Sequence, residues 1–332
     1  MGAMRRRDFG MAAAGLAAAA IRPARAQGAS GPLVLYTSQL EPDAAGTVEA
    51  FRARHPGVQV EWIRAGTGQI MTRLRAEIAA GQPRPDVLLL ADSLTFEALK
   101  AEGRLRASPE VQATGIPAEH LDAGRAYFGT KLITTGIMHH ARASFAPRRW
   151  AELAEGRARN QVAMPSPAVS GAAAIHVQAL VQNPQLGWAY VERLAANGVQ
   201  ARGGNGPVMQ AVSGGERAFG IVIDYLPIRE AARGAPVRFV FPEDGVSAIT
   251  EPAAILSTAR NVPAAIAFMD FLLSREGQEL ASRQGFLPAN PEVAPPAGFP
   301  DPRTIRIMPF DAARAAREAE ETLRRFAQLT GA

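Results

Sequence analysis

Met164-Pro-Ser-Pro-Ala-Val-Ser-Gly-Ala-Ala-Ala-Ile175 joins a short apolar segment to an Ala-rich helix that we predict to run to Leu180. Ser170 is a preferred N-cap, because its hydroxyl accepts from an unpaired N–H group of the first helical turn. Gly171 lacks the Cβ that would hold a ligand away from those N–H groups. Free amides and the helix dipole both favour negative charge at such a helix start. The stretch therefore fits an anion site as well as an ordinary capped helix of an α/β domain.

Three junctions earlier in the chain also place small polar residues where a strand gives way to a helix. The strands are predicted at 33–36, 58–62 and 87–90, and they lead to Ser38-Gln39, to Gly66-Thr67-Gly68 and to Ser93. The continuous apolar run at 87–90 is typical of a parallel strand that is buried on both faces. Because the carboxyl ends of parallel strands share one edge of a sheet, we expect these junctions to surround one ligand.

Residues 1–26 are predicted to be a twin-arginine signal peptide. Arg5-Arg6-Arg7-Asp8-Phe9 supplies the arginine pair, residues 11–21 are apolar, and Ala24-Arg25-Ala26 is a small-x-small cleavage site. The apolar run is shorter than the ~20 residues that a membrane-spanning helix needs. We therefore expect a protein that is exported to the periplasm.

Charge and composition exclude several partners. The chain has 36 Lys and Arg against 31 Asp and Glu, but residues 1–26 hold five Arg and one Asp. The remainder carries 31 basic and 30 acidic residues, so the high isoelectric point is no sign of nucleic-acid binding. The absence of Cys excludes disulfides and thiolate metal sites. About 300 residues are enough for two lobes.

The order of the predicted elements indicates two lobes that the chain enters twice. A β-like segment at 131–139 carries the chain into the second lobe, and residues 247–257 return it to the first. We therefore assign residues 32–133 and 247–290 to lobe 1. Residues 134–246 and 291–332 are assigned to lobe 2.

Several motifs occur in an order that resembles the ferric-iron and organophosphate branch of the type II periplasmic solute-binding proteins. They are Tyr36-Thr37-Ser38-Gln39, Gly66-Thr67-Gly68, Pro85-Asp86-Val87, Ser166-Pro167-Ala168-Val169-Ser170-Gly171-Ala172, Asn205 with Gln210-Ala211-Val212, Ile223-Asp224-Tyr225, residues 265–274 and Glu276-Gly277-Gln278. The resemblance implies an α/β fold of two lobes with mixed sheets and flanking helices, joined by two crossing strands that act as a hinge. It also implies a monomer, without catalysis or cofactor, that delivers a small solute to the permease of an ABC importer.

The departures from the family pattern bear on the solute. Iron-binding members have two adjacent tyrosines where this chain has Tyr225-Leu226, and Leu40 stands near the position of a metal-binding His. A single phenol is a poor Fe(III) ligand, because its pKa of ~10 demands several anionic partners. His139-His140 and His176 have no metal-ligand spacing and are interpreted as structural. We therefore predict no metal, and a solute that carries the anion itself.

The predicted ligand site consists of Ser38, Gln39, Gly66, Thr67, Gly68, Ser93, Ser166, Ser170, Gly171, Ala172, Asn205, Asp224 and Tyr225. Asp224 fits two roles, contact with a cationic or hydroxylated tail of the solute and capping of the next turn. The expected function is capture of a small phosphonate or phosphorylated solute. The alternatives are Fe(III) capture with a reduced ligand set, a ligand-presenting subunit of a sensor kinase, and a secreted phosphatase. The last is disfavoured because no general base stands beside Ser170.

Overall fold

A computed structural model describes residues 28–332, so the predicted signal peptide lies outside the described residues. The strands are β1 Gly31–Thr37, β2 Val58–Arg64, β3 Val87–Leu89, β4 Phe128–Gly129, β5 Lys131–His140, β6 Val162–Met164, β7 Gln200–Ala201, β8 Phe219–Ile223, β9 Val237–Val240, β10 Ser247–Ile249, β11 Pro252–Ile255 and β12 Leu287–Pro288. The helices are α1 Glu41–Arg54, α2 Thr67–Ala79, α3 Ser93–Ala101, α4 Gly171–Gln182, α5 Gly187–Ala196, α6 Asn205–Ser213, α7 Tyr225–Ala232, α8 Val262–Leu273, α9 Arg275–Arg283 and α10 Ala312–Thr330. Among them, no helix is long and apolar enough to cross a membrane.

The first lobe is built on a five-stranded mixed sheet with the order β2-β1-β3-β11-β4. Strands β1, β2 and β3 are parallel, and β11 runs antiparallel to β3 and β4. Val87, Leu88 and Leu89 are fully buried, as expected for a central strand covered on both faces. Phe51 of α1 and Phe268 of α8 pack edge to face, with ring centroids 5.0 Å apart.

The second lobe is built on a sheet with the order β10-β5-β8-β6-β7, to which β9 and β12 are added at β5. Strand β6 is parallel to β7 and β8, whereas β5 is antiparallel to β8. Trp150, Tyr190 and Phe219 are fully buried in its core. Helix α4 is the next helix after β6, and it starts at the edge of this sheet that faces the cleft.

Two extended segments connect the lobes. Strand β5 pairs with β12 at Lys131 and Leu132 and with β10 at residues 133–135. The returning segment pairs in the second sheet as β10 and then in the first sheet as β11. The sequence pattern assigns residues 247–257 to the first lobe, whereas β10 pairs in the second sheet. The difference arises because pairing of β10 with β5 buries Ser247 and Ile249, a long-range contact with no local signal.

Two helices at the cleft begin earlier than their apolar pattern predicts, which is at Gln69 and at Val208. In the structure α2 starts at Thr67 and α6 starts at Asn205. Pro207 lies in the first turn of α6, where its missing N–H has no intrahelical partner to lose. These starts bring Thr67 and Asn205 into the first turns that face the cleft.

Candidate functional site

A cavity of about 280 Å³ lies between the two lobes, at the ends of β1, β2, β6 and β8. Eight of the thirteen predicted site residues line it, namely Ser38, Gly66, Thr67, Ser170, Gly171, Ala172, Asn205 and Tyr225. Strand ends from both lobes meet around this cavity, although the predicted junction at Ser93 does not reach it. Four lining residues that we had not named, Arg64, Gln69, Gly204 and Glu251, complete its polar wall.

Four helices begin at this cavity. Their N-cap residues Leu40, Gly66, Ser170 and Gly204, which precede α1, α2, α4 and α6, all line it. Of these caps only Ser170 accepts a side-chain hydrogen bond from a backbone N–H of its own helix. Without a side-chain cap, the first turns of α2 and α6 keep N–H donors for a ligand, whereas in α1 Pro42 has no N–H and Asp43 N donates to Leu40 O. The four helix dipoles add positive potential. The cavity is consequently suited to an anion.

The Ser170 hydroxyl is oriented by two donors. Its Oγ accepts hydrogen bonds from Ala173 N and from Asn205 Nδ2, each at 3.3 Å. Asn205 is fixed in turn, because its Oδ1 accepts from Ile223 N at 3.3 Å. Both acceptor positions of the hydroxyl are thus occupied, and its proton remains to be donated into the cavity. Ser170 combines a capping role with a ligand-facing donor.

Arg64 is the one cation among the described residues that line the cavity. It is the last residue of β2, and its Nε donates to the backbone oxygen of Gln39 at 2.6 Å. Its two terminal nitrogens make no hydrogen bond or ion pair with any described residue. The fixed Nε and the free fork suit an oxyanion. The sequence analysis did not include Arg64 in the site, because a charged residue at a strand end usually faces solvent. Its position two residues before Gly66 was the one signal that it lies near the predicted site.

Glu251 brings a buried carboxylate to the cavity wall. Its Oε2 lies 2.8 Å from Lys131 Nζ and 3.3 Å from Gln39 Nε2, and all three side chains are buried. Burial raises the pKa of Glu251, and the Lys131 ammonium opposes that shift. Glu251 also has a φ of 37°, in the left-handed region, at the link between β10 and β11. Nothing in the local sequence distinguished Glu251 from a surface acid.

Asp224 does not line the cavity, and the structure favours the capping role for it. The carboxylate is buried and accepts hydrogen bonds from Thr134 N at 3.0 Å, Thr134 Oγ1 at 2.7 Å and Tyr225 N at 2.7 Å. Burial raises its pKa to about 7, although these three bonds favour the charged form. The side chain joins β5 to the start of α7, so it positions Tyr225 without meeting a solute.

The other four predicted residues outside the cavity each have a different environment. Gln39 is buried behind the wall against Glu251, and Ser93 at the start of α3 faces a separate cavity beside His120. Ser166 Oγ accepts from Ala168 N at 3.3 Å and shapes the turn before α4. Gly68 packs against the backbone of residues 168–169 of the other lobe. The candidate site is therefore narrower than the sequence indicated.

The histidines have structural environments. His176 is fully buried beside Trp150, with ring centroids 4.6 Å apart, and its Nδ1 lies 3.0 Å from Ser247 Oγ. Burial lowers its pKa to about 3. His139 Nδ1 and His140 Nδ1 interact with neighbouring backbone. Within residues 28–332, no group of three or more His, Cys, Asp or Glu is arranged to hold a metal ion.

The family model of bacterial extracellular solute-binding proteins matches residues 14–287. The chain belongs to this family. Among relatives of this solute-binding protein, an uncharacterized protein of Haemophilus influenzae is 26% identical over an alignment of 320 residues that covers 89% of this chain and 89% of its own. Two solved structures share the fold. The periplasmic binding protein AfuA of Actinobacillus pleuropneumoniae, with fructose-6-phosphate bound, is 21% identical at a TM-score of 0.81, covering 91% of this chain and 99% of its own. Iron-bound HitA of Pseudomonas aeruginosa is 21% identical at a TM-score of 0.75, covering 89% and 99%.

These comparisons confirm the resemblance that the motifs carried. The fold is the two-lobe type II periplasmic binding protein fold, with mixed sheets and flanking helices. Members of the family are solute-binding components of ABC import, not enzymes. The cavity between the lobes is accordingly the candidate binding site, and its chemistry is the basis for proposing a solute.

Proposed function

We propose that this solute-binding protein captures a small phosphonate or organophosphate in the periplasm and delivers it to the permease of an ABC importer. The observation that carries the proposal is the convergence of four helix N-termini and the Arg64 guanidinium on one cavity. Together they place N–H donors around a single volume from several directions. A tetrahedral dianion uses donors from several directions, whereas a planar carboxylate uses them from fewer.

The electrostatics support a dianion. Arg64 lines the cavity and has no counter-ion among the described residues. Glu251, the acid on the same wall, is already paired with Lys131 at 2.8 Å. Hydrogen bonds from charged or dipole-aligned donors to an oxyanion are stronger than neutral ones. Backbone donors inside the cleft between the lobes are weakened less by solvent, whereas Arg64 is exposed and its interaction is screened more. AfuA, which has the same fold, was solved with fructose-6-phosphate bound, so this fold accommodates a phosphorylated solute.

Fe(III) capture is the alternative function, because HitA, which has the same fold, was solved with iron bound. The residue after Tyr225 is Leu226, which is buried in the core of the second lobe and offers no donor atom. Tyr225 then supplies one phenol, whose pKa burial raises well above 10. Ionising that phenol demands a strongly charged metal site with several anionic ligands. We expect added Fe(III) to give no tyrosinate-to-iron charge-transfer band, and a stoichiometric visible band would establish iron as the cargo.

The deciding experiment replaces Ser170 with Ala and titrates both proteins calorimetrically with phosphonates and phosphate esters. The change removes one hydroxyl that donates to a charged group, for a loss of about 1.5–3 kcal/mol, which is roughly ten- to a hundred-fold in affinity. Ser213→Ala is the matched control, because its hydroxyl bonds Gln210 O at the far end of α6. If the wild-type protein binds none of these compounds, or the two variants bind them equally well, the anion site is elsewhere.

Export and assembly are part of the proposal. We propose that Arg6-Arg7 directs twin-arginine export and that the exported protein is a monomer. Replacing both residues with Lys should hold the precursor in the cytoplasm, as cell fractionation would show, and light scattering should give the mass of one chain. A folded periplasmic product from the Lys variant would point to another export route.

A further inference from the structure

The cavity wall contains a second polar cluster that the anion donors do not use. It is formed by Glu251, at the link between β10 and β11, and Tyr225, the first residue of α7. The rings of Tyr225 and Phe286 pack with their centroids 4.1 Å apart. Lys131 Nζ lies 4.3 Å from the centroid of the Phe286 ring. Glu251 forms an ion pair with Lys131, so Glu251 and Tyr225 both belong to one cluster around Phe286.

Each of the two side chains keeps an unused polar atom. The contacts that hold the Glu251 carboxylate, from Lys131 and Gln39, are both made to Oε2. Its Oε1 accepts no hydrogen bond from the described residues, and neither does the Tyr225 hydroxyl make one with them. Both residues line the cavity, and neither atom is sealed in the protein interior, so both atoms are open to a partner on the ligand. The free atoms are a carboxylate acceptor and a hydroxyl that both accepts and donates.

The charge of the cluster selects the kind of partner. Glu251 and Lys131 neutralise each other at 2.8 Å, so the carboxylate offers hydrogen-bonding capacity without an unpaired negative charge. An ammonium group would enter beside the Lys131 ammonium and be repelled by it. A hydroxyl group donates to the carboxylate at no such penalty.

The backbone gives an independent indication of function at Glu251. Its φ of 37° is unusual for a residue with a side chain, and strained backbone of this kind is concentrated at ligand clamps and switch regions. The strained residue lies on one of the two segments that connect the lobes. A solute bound there contacts the hinge directly.

We propose that Glu251 and Tyr225 form a hydroxyl-recognition subsite, so that the preferred solute is a hydroxylated phosphate or phosphonate such as a polyol phosphate. This inference rests on the proposed phosphate site and adds the chemistry of the rest of the solute. Glu251 and Tyr225 are then the specificity-determining residues, and the helix N-termini with Arg64 bind the common anion.

The first test uses the unmodified protein and ligand pairs that differ in hydroxyl groups alone. The pairs are glycerol 3-phosphate with propyl phosphate, and sorbitol 6-phosphate with n-hexyl phosphate; 3-aminopropyl phosphate is the ammonium arm. We expect at least one polyol ester to bind about tenfold or more tightly than its alkyl partner and than the ammonium ester, as one hydrogen bond to a charged group allows. Equal binding within both pairs, or tightest binding of the ammonium ester, would overturn the subsite.

The second test is Tyr225→Phe, which keeps the ring on Phe286 and removes the hydroxyl. The affinity ratio of the polyol ester to the alkyl ester should fall towards one. Tyr190→Phe is the matched control, since its hydroxyl is buried in the second lobe away from the cavity. Glu251→Gln combined with Lys131→Met repeats the test without leaving an unpaired buried ammonium. A ratio that survives in both variants contradicts the inference.

The outcomes separate the two proposals. If no phosphate ester binds and Ser170→Ala has no effect, the proposed function itself fails. If the esters bind and depend on Ser170, yet hydroxyl groups make no difference, the phosphate site stands and the hydroxyl subsite is wrong.

Discussion

Arg64 supplies the uncompensated positive charge of the candidate site. Replacing Arg64 with Met should lower affinity for phosphonates and phosphate esters about ten- to a hundred-fold, because a charge-assisted interaction with the anion is lost. Raising the salt concentration should weaken binding less in the variant than in the wild type. Isothermal titration at two ionic strengths measures both effects.

Arg52→Met is the matched control for this prediction. The Arg52 guanidinium also donates to a backbone oxygen, that of Val60 at 2.6 Å, but it lies outside the cavity. Equal losses in the two variants would mean that the Arg64 effect is structural. An unchanged affinity on loss of Arg64 would remove it from the anion site.

Asp224 makes stability depend on pH. Burial raises its folded-state pKa to about 7 from an ordinary value of 3.8, so the folded protein keeps a proton that the unfolded chain loses. The stabilisation is therefore complete below pH 3.8 and is lost as the pH rises through 7. The unfolding free energy should fall over this range with a slope of at most about 1.4 kcal/mol per pH unit from this group. Glu251, whose pKa burial also raises, contributes in the same direction.

The Asp224→Asn variant should flatten this dependence, since Asn stays neutral over the whole range. Urea unfolding at pH 4, 5.5 and 7 measures the slope, and the wild type serves as the reference. A slope that is as steep in the variant would mean that Asp224 is ionised in the folded protein, held so by its three hydrogen bonds.

At the level of elements, the start of α2 touches the loop before α4 backbone to backbone. Gly68 N lies 3.5 Å from Val169 O, and a Cβ added at Gly68 would clash with the Ala168 carbonyl oxygen. Gly68→Ala should therefore hinder closure of the lobes and weaken solute binding. Ala is the better helix former by about 1 kcal/mol, so the first lobe itself should not be destabilised.

Calorimetric titration with thermal unfolding of the ligand-free protein separates these effects. Gly156→Ala is the control, because a Cβ at Gly156 meets no atom within 4 Å. Solute affinity equal to that of the control would show that the glycine contact plays no part in closure. The sequence indicated Gly68 as a ligand contact, and the structure gives it an interlobe role instead.

At the level of the whole molecule, an ion pair between residues that are distant in sequence joins the two lobes outside the cavity. Asp43 of α1 and Arg229 of α7 lie 2.7 Å apart, both largely buried, and Arg229 also donates to Gln284 O. Removing one partner of a buried pair leaves the other charge without compensation. Arg229→Met should therefore favour the open form and lower solute affinity about tenfold or more, although neither residue lines the cavity.

Small-angle scattering tests this prediction, because hinge closure lowers the radius of gyration. We expect the wild type to contract when saturated with solute, and the variant to contract only at higher concentrations. Arg325→Met is the control, since its partner Glu192 belongs to the same lobe and both are exposed. A wild type that does not contract would contradict hinge closure altogether.

The sequence by itself determined the local features of this protein. The apolar run at residues 87–90 indicated the buried strand β3, and the capping pattern indicated a helix that starts after Ser170. The small residues at Gly66-Thr67 indicated a junction between a strand and a helix. Those are interactions among neighbours in the chain, so a pattern of a few residues predicts them. The order of such motifs was also enough to indicate the two-lobe fold.

Only the tertiary structure decided which polar side chains meet the cavity. Gln39 donates a hydrogen bond to Glu251, which is 212 positions away in the sequence. This contact keeps Gln39 buried behind the cavity wall and places Glu251 on the wall. Arg64 enters the site because Nε is held by the Gln39 backbone. The direction of a side chain at a loop depends on what the other lobe places against it. Contacts between distant segments have no local pattern, and the specificity of the site lies in those contacts.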